Sequence, residues 1–254
     1  MTPRLRPVAR CAATLAPALL LLVGFFAEPA MAQSLSLDFG EQGSTTGRIV
    51  QLIALITVLS LAPSILVMMT SFTRIVVVLS FLRSALGIQQ TPPNSVLISL
   101  ALFLTLFIMM PTLESVYDEA LQPLIAEDID ELEALDRASA PVKTFMLDHV
   151  REQDLGLFLE MAKSEPLAEP SQTPMRALIP AFMISELRRA FEIGFLLFLP
   201  FLVIDMVVAS VLMSMGMMML PPILISLPFK LIFFVMVDGW YLVAGSLVQS
   251  YGGA

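Results

Sequence analysis

Cysteine and histidine are almost missing from this chain, which has one of each in 254 residues. The cysteine is Cys11, close to the N-terminus, and the histidine is His149. A single cysteine cannot close a disulfide within the chain, and one residue of each type cannot supply the ligand set of a cysteine or histidine metal site. The sequence therefore predicts no metal and no cofactor.

Charged residues are also scarce, at 14% of the chain, and the basic ones are the minority. The net charge is −8, and Lys and Arg form no cluster of the kind that binds nucleic-acid phosphates. Glycine-rich phosphate loops, metal-binding helix motifs and Gly-x-Ser-x-Gly elbows do not occur either. The sequence thus excludes nucleic acid as a partner and gives no basis for an enzyme.

Apolar residues, by contrast, are abundant. They make up 57% of the chain, and the mean hydropathy is +0.85. Soluble domains have roughly 45–50% apolar residues, so lipid or a large protein interior must surround much of this chain. The expected fold class is an all-α integral membrane protein.

The first 32 residues have the pattern of a cleavable signal peptide. Arg4, Arg6 and Arg10 precede an apolar run, and Ala30 and Ala32 supply the small residues that a signal peptidase requires. Cleavage is expected before Gln33, with an uncleaved first membrane helix as the alternative. Residues 33–48 are polar and rich in glycine and serine, which predicts a flexible periplasmic tail.

The rest of the chain is predicted to form two helical hairpins separated by an acidic helical segment. The first hairpin is residues 49–112, the acidic segment 113–185 and the second hairpin 186–254. Their apolar runs cover residues 49–69, 96–110, 191–215 and 223–248. The second run is only about 22 Å long as a helix, which is short for a hydrocarbon core of about 30 Å. It suggests local thinning of the bilayer or burial among other subunits.

The acidic segment is expected to lie in water, on the periplasmic side. Residues 113–176 contain 15 acidic and 5 basic residues. Apolar residues at helical spacing predict short amphipathic helices, and large aromatic side chains on such helices often anchor interfaces. Phe145 and Phe158 are therefore predicted to anchor an interface with another subunit, which would be the ring contact if the chain assembles into a ring. Glu186 is predicted to pair across the same subunit boundary.

Three charged residues fall inside the apolar runs of the second hairpin, namely Asp205, Lys230 and Asp238. Each charge costs about 2.5–3.5 kcal/mol on membrane-insertion scales, so each requires a partner or water. They either pair with one another or with another subunit, or they form a proton relay.

Arg74 and Arg83 follow the first apolar run. They fit the cytoplasmic side of the membrane, where an excess of positive charge is expected.

A run of three methionines, Met217, Met218 and Met219, connects the last two apolar runs. Methionine is flexible and polarizable and fills irregular gaps, so taken alone the run indicates packing. Gly216 precedes it and Pro221-Pro222 closes it, which predicts a tight turn.

Several stretches from about residue 61 to the C-terminus resemble the FliP family of flagellar type III export-gate proteins, which has relatives in virulence injectisomes. They are MMTSFTRI at 68–75, ALFLT at 101–105, DLGLF at 154–158, IDMV at 204–207, GMMMLPP at 216–222, and LPFK at 227–230 with VDGW at 237–240. The signal peptide and the acidic segment favour the flagellar branch.

This resemblance implies a homo-oligomeric ring, pentameric in the family, in the bacterial inner membrane within the flagellar basal body. FliQ-like and FliR-like membrane proteins and other export-apparatus proteins would join it, and unfolded flagellar proteins would pass through the pore. Met217, Met218 and Met219 would then form a pore gasket rather than mere packing. An independent small-solute transporter or ion channel remains the alternative.

Overall fold

The computed structural model describes residues 45–88, 90–163, 170–217 and 219–252, and it is helical throughout these ranges apart from turns. Residues 57–254 form one compact unit, from which the described residues 45–56 are separate. The elements are α1 (Thr45–Met69), α2 (Phe72–Ala85), α3 (Asn94–Val116), a π-helical turn (Tyr117–Leu121), α4 (Gln122–Ile125), α5 (Glu131–His149), α6 (Glu152–Met161), a 3-10 turn (Pro170–Gln172), α7 (Met175–Ser214), α8 (Pro222–Met236) and α9 (Gly239–Gly252). The all-α prediction is confirmed.

Two helical stretches in the described part of the chain are long and apolar enough to cross a membrane, Asn94–Ile125 and Met175–Ser214. Two bent pairs could each form a further crossing, Pro63–Met69 with Phe72–Ala85 and Pro222–Met236 with Gly239–Gly252. By length and composition, the described residues therefore contain two candidate crossings, or up to four if each bent pair is one span.

The helix that begins at Asn94 does not end at Pro111, where the predicted second apolar run stopped. It continues to Val116 and then through the π-helical turn and α4 to Ile125. A proline inside a helix removes one backbone donor, but the remaining bonds can hold the helix together. Ser115 Oγ also donates to the carbonyl of Pro111 at 3.2 Å, within the next turn. This helix is therefore longer than its apolar run.

Helix α7 is the longest element in the described ranges, with 40 residues and a length of roughly 60 Å. This is about twice the hydrocarbon thickness of a bilayer, so one part of α7 must lie outside the lipid. The predicted boundary between the acidic segment and the second hairpin, after residue 185, falls inside this continuous helix. The two regions are consequently joined by one helix and not by a linker.

The main core forms around α2, whose buried face repeats at helical spacing. Ile75, Val78, Leu79 and Leu82 are at most 1% exposed, and they pack against residues of α3, α7, α8 and α9. The contact between α2 and α7 requires a glycine, because a Cβ on Gly194 would lie 2.5 Å from the ring of Phe81. The two helices thus approach more closely than larger residues would permit.

A second core forms where the N-terminal part of α7 packs against the helices of the acidic segment. It consists of Met109, Phe145, Met146, Leu178 and Phe182, with other apolar residues around it. The helices α5 and α6 are amphipathic, as the sequence predicts. Asp130 caps α5, since its side chain accepts a hydrogen bond from the Glu133 amide at 2.7 Å. The helices of the acidic segment therefore pack against the N-terminal part of α7.

The last apolar run, residues 223–248, is broken rather than continuous. α8 and α9 meet at an angle of 63°, and Asp238 between them has a φ of 50°. Gly239 follows, and a Cβ there would lie 2.1 Å from the ring of Phe234. The chain bends here because a left-handed residue and a tightly packed glycine interrupt the helix.

Candidate functional site

The methionine-containing loop begins where α7 ends in a Schellman motif. The Gly216 amide donates to the Met213 carbonyl at 3.1 Å, and the Met217 amide donates to the Leu212 carbonyl at 3.0 Å. These are the two bonds that define the motif, and they require a left-handed residue just after the helix. Gly216 has a φ of 73° and supplies it. The turn predicted from Gly216 and the two prolines is confirmed.

Substitution of Gly216 by valine is expected to destabilise this helix end by about 1 kcal/mol or more, because a β-branched residue is strained at positive φ. The backbone that precedes the methionines would then no longer be held by the hydrogen bonds at the end of α7. Limited proteolysis of the purified protein at the loop should become faster for Gly216→Val than for the parent. Gly156→Val on α6 is the control, since it has open space around it and no positive φ. Equal cleavage rates for Gly216→Val and the parent would contradict the prediction.

The side chains of Met217 and Met219 are exposed rather than packed in the chain's own core. Met219 is 98% exposed and Met217 is 42% exposed. Met218 lies outside the described residues. An apolar side chain with almost its whole surface exposed is not packing within this chain, so the packing interpretation of the run is not supported for Met219.

Asp205 and Lys230 form an ion pair between α7 and α8. Lys230 Nζ is 2.6 Å from Asp205 Oδ2, and Ser226 Oγ donates to Asp205 Oδ1 at 2.5 Å. Lys230 also donates to the Ala85 carbonyl at the end of α2, at 3.2 Å. The side chain of Lys230 is 3% exposed, so its charge is almost fully enclosed. The prediction that the embedded charges pair with one another is confirmed for these two residues.

Asp238, the third embedded charge, does not join this network. It lies at the bend between α8 and α9 and is exposed, and no side-chain hydrogen bond to it occurs among the described residues. Its backbone carbonyl accepts from the Leu242 amide at 3.1 Å, which begins α9. The structure therefore separates Asp238 from the pair, and a three-membered relay is not formed within the described chain.

A second buried network joins α2, α7 and α9. Arg74 Nε donates to Glu186 Oε2 at 2.8 Å, and Arg74 Nη2 donates to Glu186 Oε1 at 2.5 Å. Both side chains are 0% exposed. The Tyr251 hydroxyl donates to the same carboxylate, and its ring lies 3.7 Å from the guanidinium carbon. Arg74 also donates to the carbonyl and hydroxyl of Ser250.

This network changes the interpretation of Glu186. It was expected to pair across a subunit boundary, but Arg74 and Tyr251 occupy both of its oxygens within the chain. Both members of the Arg74–Glu186 pair are enclosed by protein, so the structure does not support the predicted pairing of Glu186 with another subunit. The cytoplasmic side expected for Arg74 stays a prediction.

Phe145 and Phe158 also differ in their surroundings. Phe145 is 8% exposed, and its ring centroid lies 6.0 Å from those of Phe182 and Tyr251. It is part of the core between α5 and α7, which differs from the expected contact between subunits because little of its surface remains available. Phe158 is partly buried on α6. Its role in ring assembly stays a prediction.

Asp154 connects the start of α6 to α7. Ser185 Oγ donates to Asp154 Oδ2 at 2.6 Å, and Arg151 donates to both of its oxygens at 2.8 and 2.7 Å. The Arg151 amide in turn donates to Ser185 Oγ at 3.0 Å. Burial alone would raise the pKa of Asp154, but the hydrogen bond from Ser185 and the guanidinium of Arg151 hold that pKa below its ordinary value.

A lowered pKa means that Asp154 stabilises the fold above its ordinary pKa of 3.8 and that this contribution is lost as the pH falls through the lowered value. We expect Asp154→Asn to lower the free energy of unfolding at pH 7 by about 1–3 kcal/mol, as for other hydrogen bonds to charged groups. The difference from the parent should shrink at pH 3. Denaturant unfolding in detergent measures both, with exposed Glu152→Gln as the control. A deficit that is equal at the two pH values would contradict this account.

Local spacing identifies one ion pair, whereas the buried partners come from distant parts of the chain. Arg188 and Glu192 are four residues apart on α7, which is the spacing of a helical pair, and they lie 3.0 Å apart. Ser185, Ser226 and Tyr251 were not singled out. Ser226 could have been found, because it stands one helical turn before Lys230 and a hydroxyl there faces the same side. For Tyr251 the sequence offers no comparable signal.

Together these features define the class of protein. It is an all-α membrane protein in which two buried ion pairs connect the helices and an apolar loop is exposed between α7 and α8. The signal-peptide residues Ala30, Ala32 and Gln33 lie outside the described residues, so cleavage stays a prediction.

Comparison with known proteins identifies the family of this chain. The FliP family profile matches residues 55–247. The flagellar biosynthetic protein FliP of Caulobacter vibrioides is 63% identical over 223 residues, which is 87% of this chain and 84% of that protein. The proteins of the same name from Bacillus subtilis and Aquifex aeolicus are 57% and 55% identical, over 80% of this chain and 91% and 85% of their own lengths. The chain belongs to the FliP family.

Proposed function

We propose that this chain is a core subunit of the flagellar type III protein export gate and is required for flagellum assembly. Family membership carries this proposal, since the relatives named above are flagellar biosynthetic proteins over most of the chain. These relatives do not favour the alternative of an independent small-solute transporter. In this role the chain moves other proteins and does not act as an enzyme.

Within the gate, several copies form a homo-oligomeric ring in the inner membrane, and the acidic segment faces the periplasm. The exposed apolar surface supports assembly, because Phe103, Phe107 and Phe195 are each at least 60% exposed. Such large apolar faces require lipid or protein around them. FliQ-like and FliR-like membrane proteins are the expected neighbours, and unfolded flagellar proteins are the expected cargo. Five copies per ring is the expectation that follows from the family resemblance.

The loop of Met217, Met218 and Met219 forms the closure of the pore in this proposal. A passage for an unfolded polypeptide would also leak ions, so it must close at rest and yield to cargo. Hydrophobic constrictions exclude water and ions, and unbranched thioether side chains can repack around different segments. The exposure of Met219 and the fixed start of the loop at Gly216 support this role.

The two ion pairs stabilise the scaffold that holds the loop. Asp205 and Lys230 link α7 to α8 on both sides of the loop, and Lys230 also bonds to the end of α2. A paired arrangement with a backbone acceptor is typical of a structural cross-link inside a membrane. We therefore assign this pair to positioning of the hairpin rather than to proton transfer.

Deletion and complementation test the proposal in cells. Cells without the gene should be non-motile and should release no flagellar filament or hook protein, and the intact gene should restore both. In parallel, the tagged protein purified in mild detergent should have the mass of a large assembly that contains two other small membrane proteins. A monomer or dimer that transports small solutes into liposomes would overturn the proposal and support the transporter.

A further inference from the structure

The hairpin tip formed by residues 117–136, here called the acidic tip, combines two features that rarely occur together. It contains eight carboxylates and no Lys, Arg or His. All eight of these carboxylate side chains are exposed. It also exposes four large apolar side chains, Leu121 at 47%, Ile125 at 71%, Leu132 at 78% and Leu135 at 69%.

The exposed apolar side chains lie on two helical turns whose connection is fixed by hydrogen bonds within the chain. Leu121 and Ile125 are four residues apart and share one helical face, and Leu132 and Leu135 are three apart on the first turns of α5. The connection between α4 and α5 is closed by backbone hydrogen bonds, from Glu127 to Leu124 at 3.1 Å and from Asp128 to Pro123 at 3.0 Å. The Asp130 cap then begins α5. The tip is thus built before any partner binds.

Lipid does not account for this exposed apolar surface. Most other exposed apolar residues of the described chain lie in long uncharged runs, where a bilayer can cover them, although Leu157 and Met161 on α6 do not. At the tip Leu132 is flanked by Glu131 and Glu133, and Leu135 is followed by Asp136. Each carboxylate resists entry into the membrane, and anionic headgroups repel so many negative charges. The tip must therefore be covered by protein or remain in water.

A second copy of the tip is also a poor occupant, because it would bring eight further carboxylates against the first eight. Like charges in direct opposition reduce affinity, whereas an opposite charge pattern increases both affinity and the association rate. The surface instead fits a helix that places apolar residues at three- and four-residue spacing between lysines or arginines.

We propose that the acidic tip is a docking surface for a basic, amphipathic helical segment of another protein on the same side of the membrane. The apolar four-residue set contacts the apolar face of that helix, and the surrounding carboxylates pair with its flanking cations. This inference uses only the tip and does not depend on the pore or on the identity of the cargo.

The binding test uses the full chain purified in detergent and two labelled helical peptides of about five turns. Both peptides have leucines at three- and four-residue spacing, and the remaining positions are lysine in one and glutamate in the other. Fluorescence anisotropy measures the dissociation constants. We expect the lysine peptide to bind at least about tenfold more tightly than the glutamate peptide, with weaker binding at high salt.

Variants of the tip separate specific docking from adsorption to the detergent micelle, which is common to all samples. One variant neutralises three carboxylates of the tip, in Glu127→Gln/Asp128→Asn/Glu131→Gln. It should weaken binding of the lysine peptide at least about tenfold. The matched control removes three exposed carboxylates outside the tip, in Asp148→Asn/Glu152→Gln/Glu160→Gln, and should leave binding unchanged. The carboxylates at the α5 cap and in the Glu133–Arg137 pair are retained so that the fold is preserved.

The apolar contribution is tested by Leu132→Ser/Leu135→Ser against the control Leu157→Ser/Met161→Ser on α6, whose side chains are 51% and 69% exposed. Only the tip variant should lose binding. In cells, a photo-cross-linking residue at Leu135 should capture a basic segment of another protein, and the triple carboxylate variant should abolish this product. Equal binding of both peptides, equal losses in tip and control variants, or a cross-link only to a second copy of this chain would each overturn the proposal.

Discussion

Replacement of Arg74 by methionine is expected to destabilise the chain by roughly 3–5 kcal/mol, because it leaves the carboxylate of Glu186 buried without its cation. Both side chains are 0% exposed, so water cannot replace the lost partner. Glu186→Gln should also be destabilising, since it leaves the guanidinium without its counter-charge. Denaturant unfolding of the purified protein in detergent measures these changes, and the yield of folded protein provides a second readout.

The triple variant Arg74→Met/Glu186→Leu/Tyr251→Phe distinguishes a buried pair from simple loss of packing. It removes the cation, the carboxylate and the hydroxyl that bonds to it, so no unpaired polar group remains among these three side chains. Replacement of a complete buried network by apolar residues of similar volume is often close to neutral, and the triple variant should recover most of the lost stability.

The exposed pair of Arg188 and Glu192 is the control for this experiment. Its side chains are 57% and 59% exposed, so Arg188→Met should change stability by no more than about 1 kcal/mol. If Arg74→Met and Arg188→Met had equally small effects, the Arg74–Glu186 pair would not hold α2 and α7 together. If the triple variant were no more stable than Arg74→Met, the loss would come from packing and not from an unpaired charge.

The parts of the fold that depend on local sequence could be predicted. The apolar runs indicate that this is a membrane protein, and the spacing of apolar residues predicts the amphipathic helices α5 and α6. The four-residue spacing of Arg188 and Glu192 indicates their ion pair on one helix. These features depend on neighbours within one or two turns. The end of α3 could not be placed in this way, because a proline weakens a helix without always ending it.

The partners of buried charges could not be predicted, because they come from distant parts of the chain. Arg74 and Glu186 are 112 residues apart, and Asp205 and Lys230 are 25 apart. The sequence shows that each charge requires a partner, but the packing of α2 against α7 decides which one it receives. The cost of a charge inside the membrane shows that each embedded charge needs a partner, but it does not show whether that partner is on another helix or in another subunit.

The second prediction concerns the loop. Replacement of Met217, Met218 and Met219 by alanine should leave assembly intact, because the Met219 side chain is almost fully exposed and Met217 is 42% exposed. In the assembled gate, however, it should open the constriction, since each substitution removes the flexible thioether that excludes water. Cells that produce this variant should become more permeable to ions, in whole-cell salt-sensitivity or conductance assays.

Two further variants make the result specific to the loop. Leucine at the same three positions restores apolar volume and should keep the gate sealed, although its branched side chain should slow export because it repacks less freely. Alanine at Met206, Met213 and Met236 removes three other exposed methionines and should not raise ion permeability. The mass of the purified complex shows whether each variant assembles. A loop triple-alanine variant that assembles normally and remains as ion-tight as the parent would show that these methionines do not close a pore.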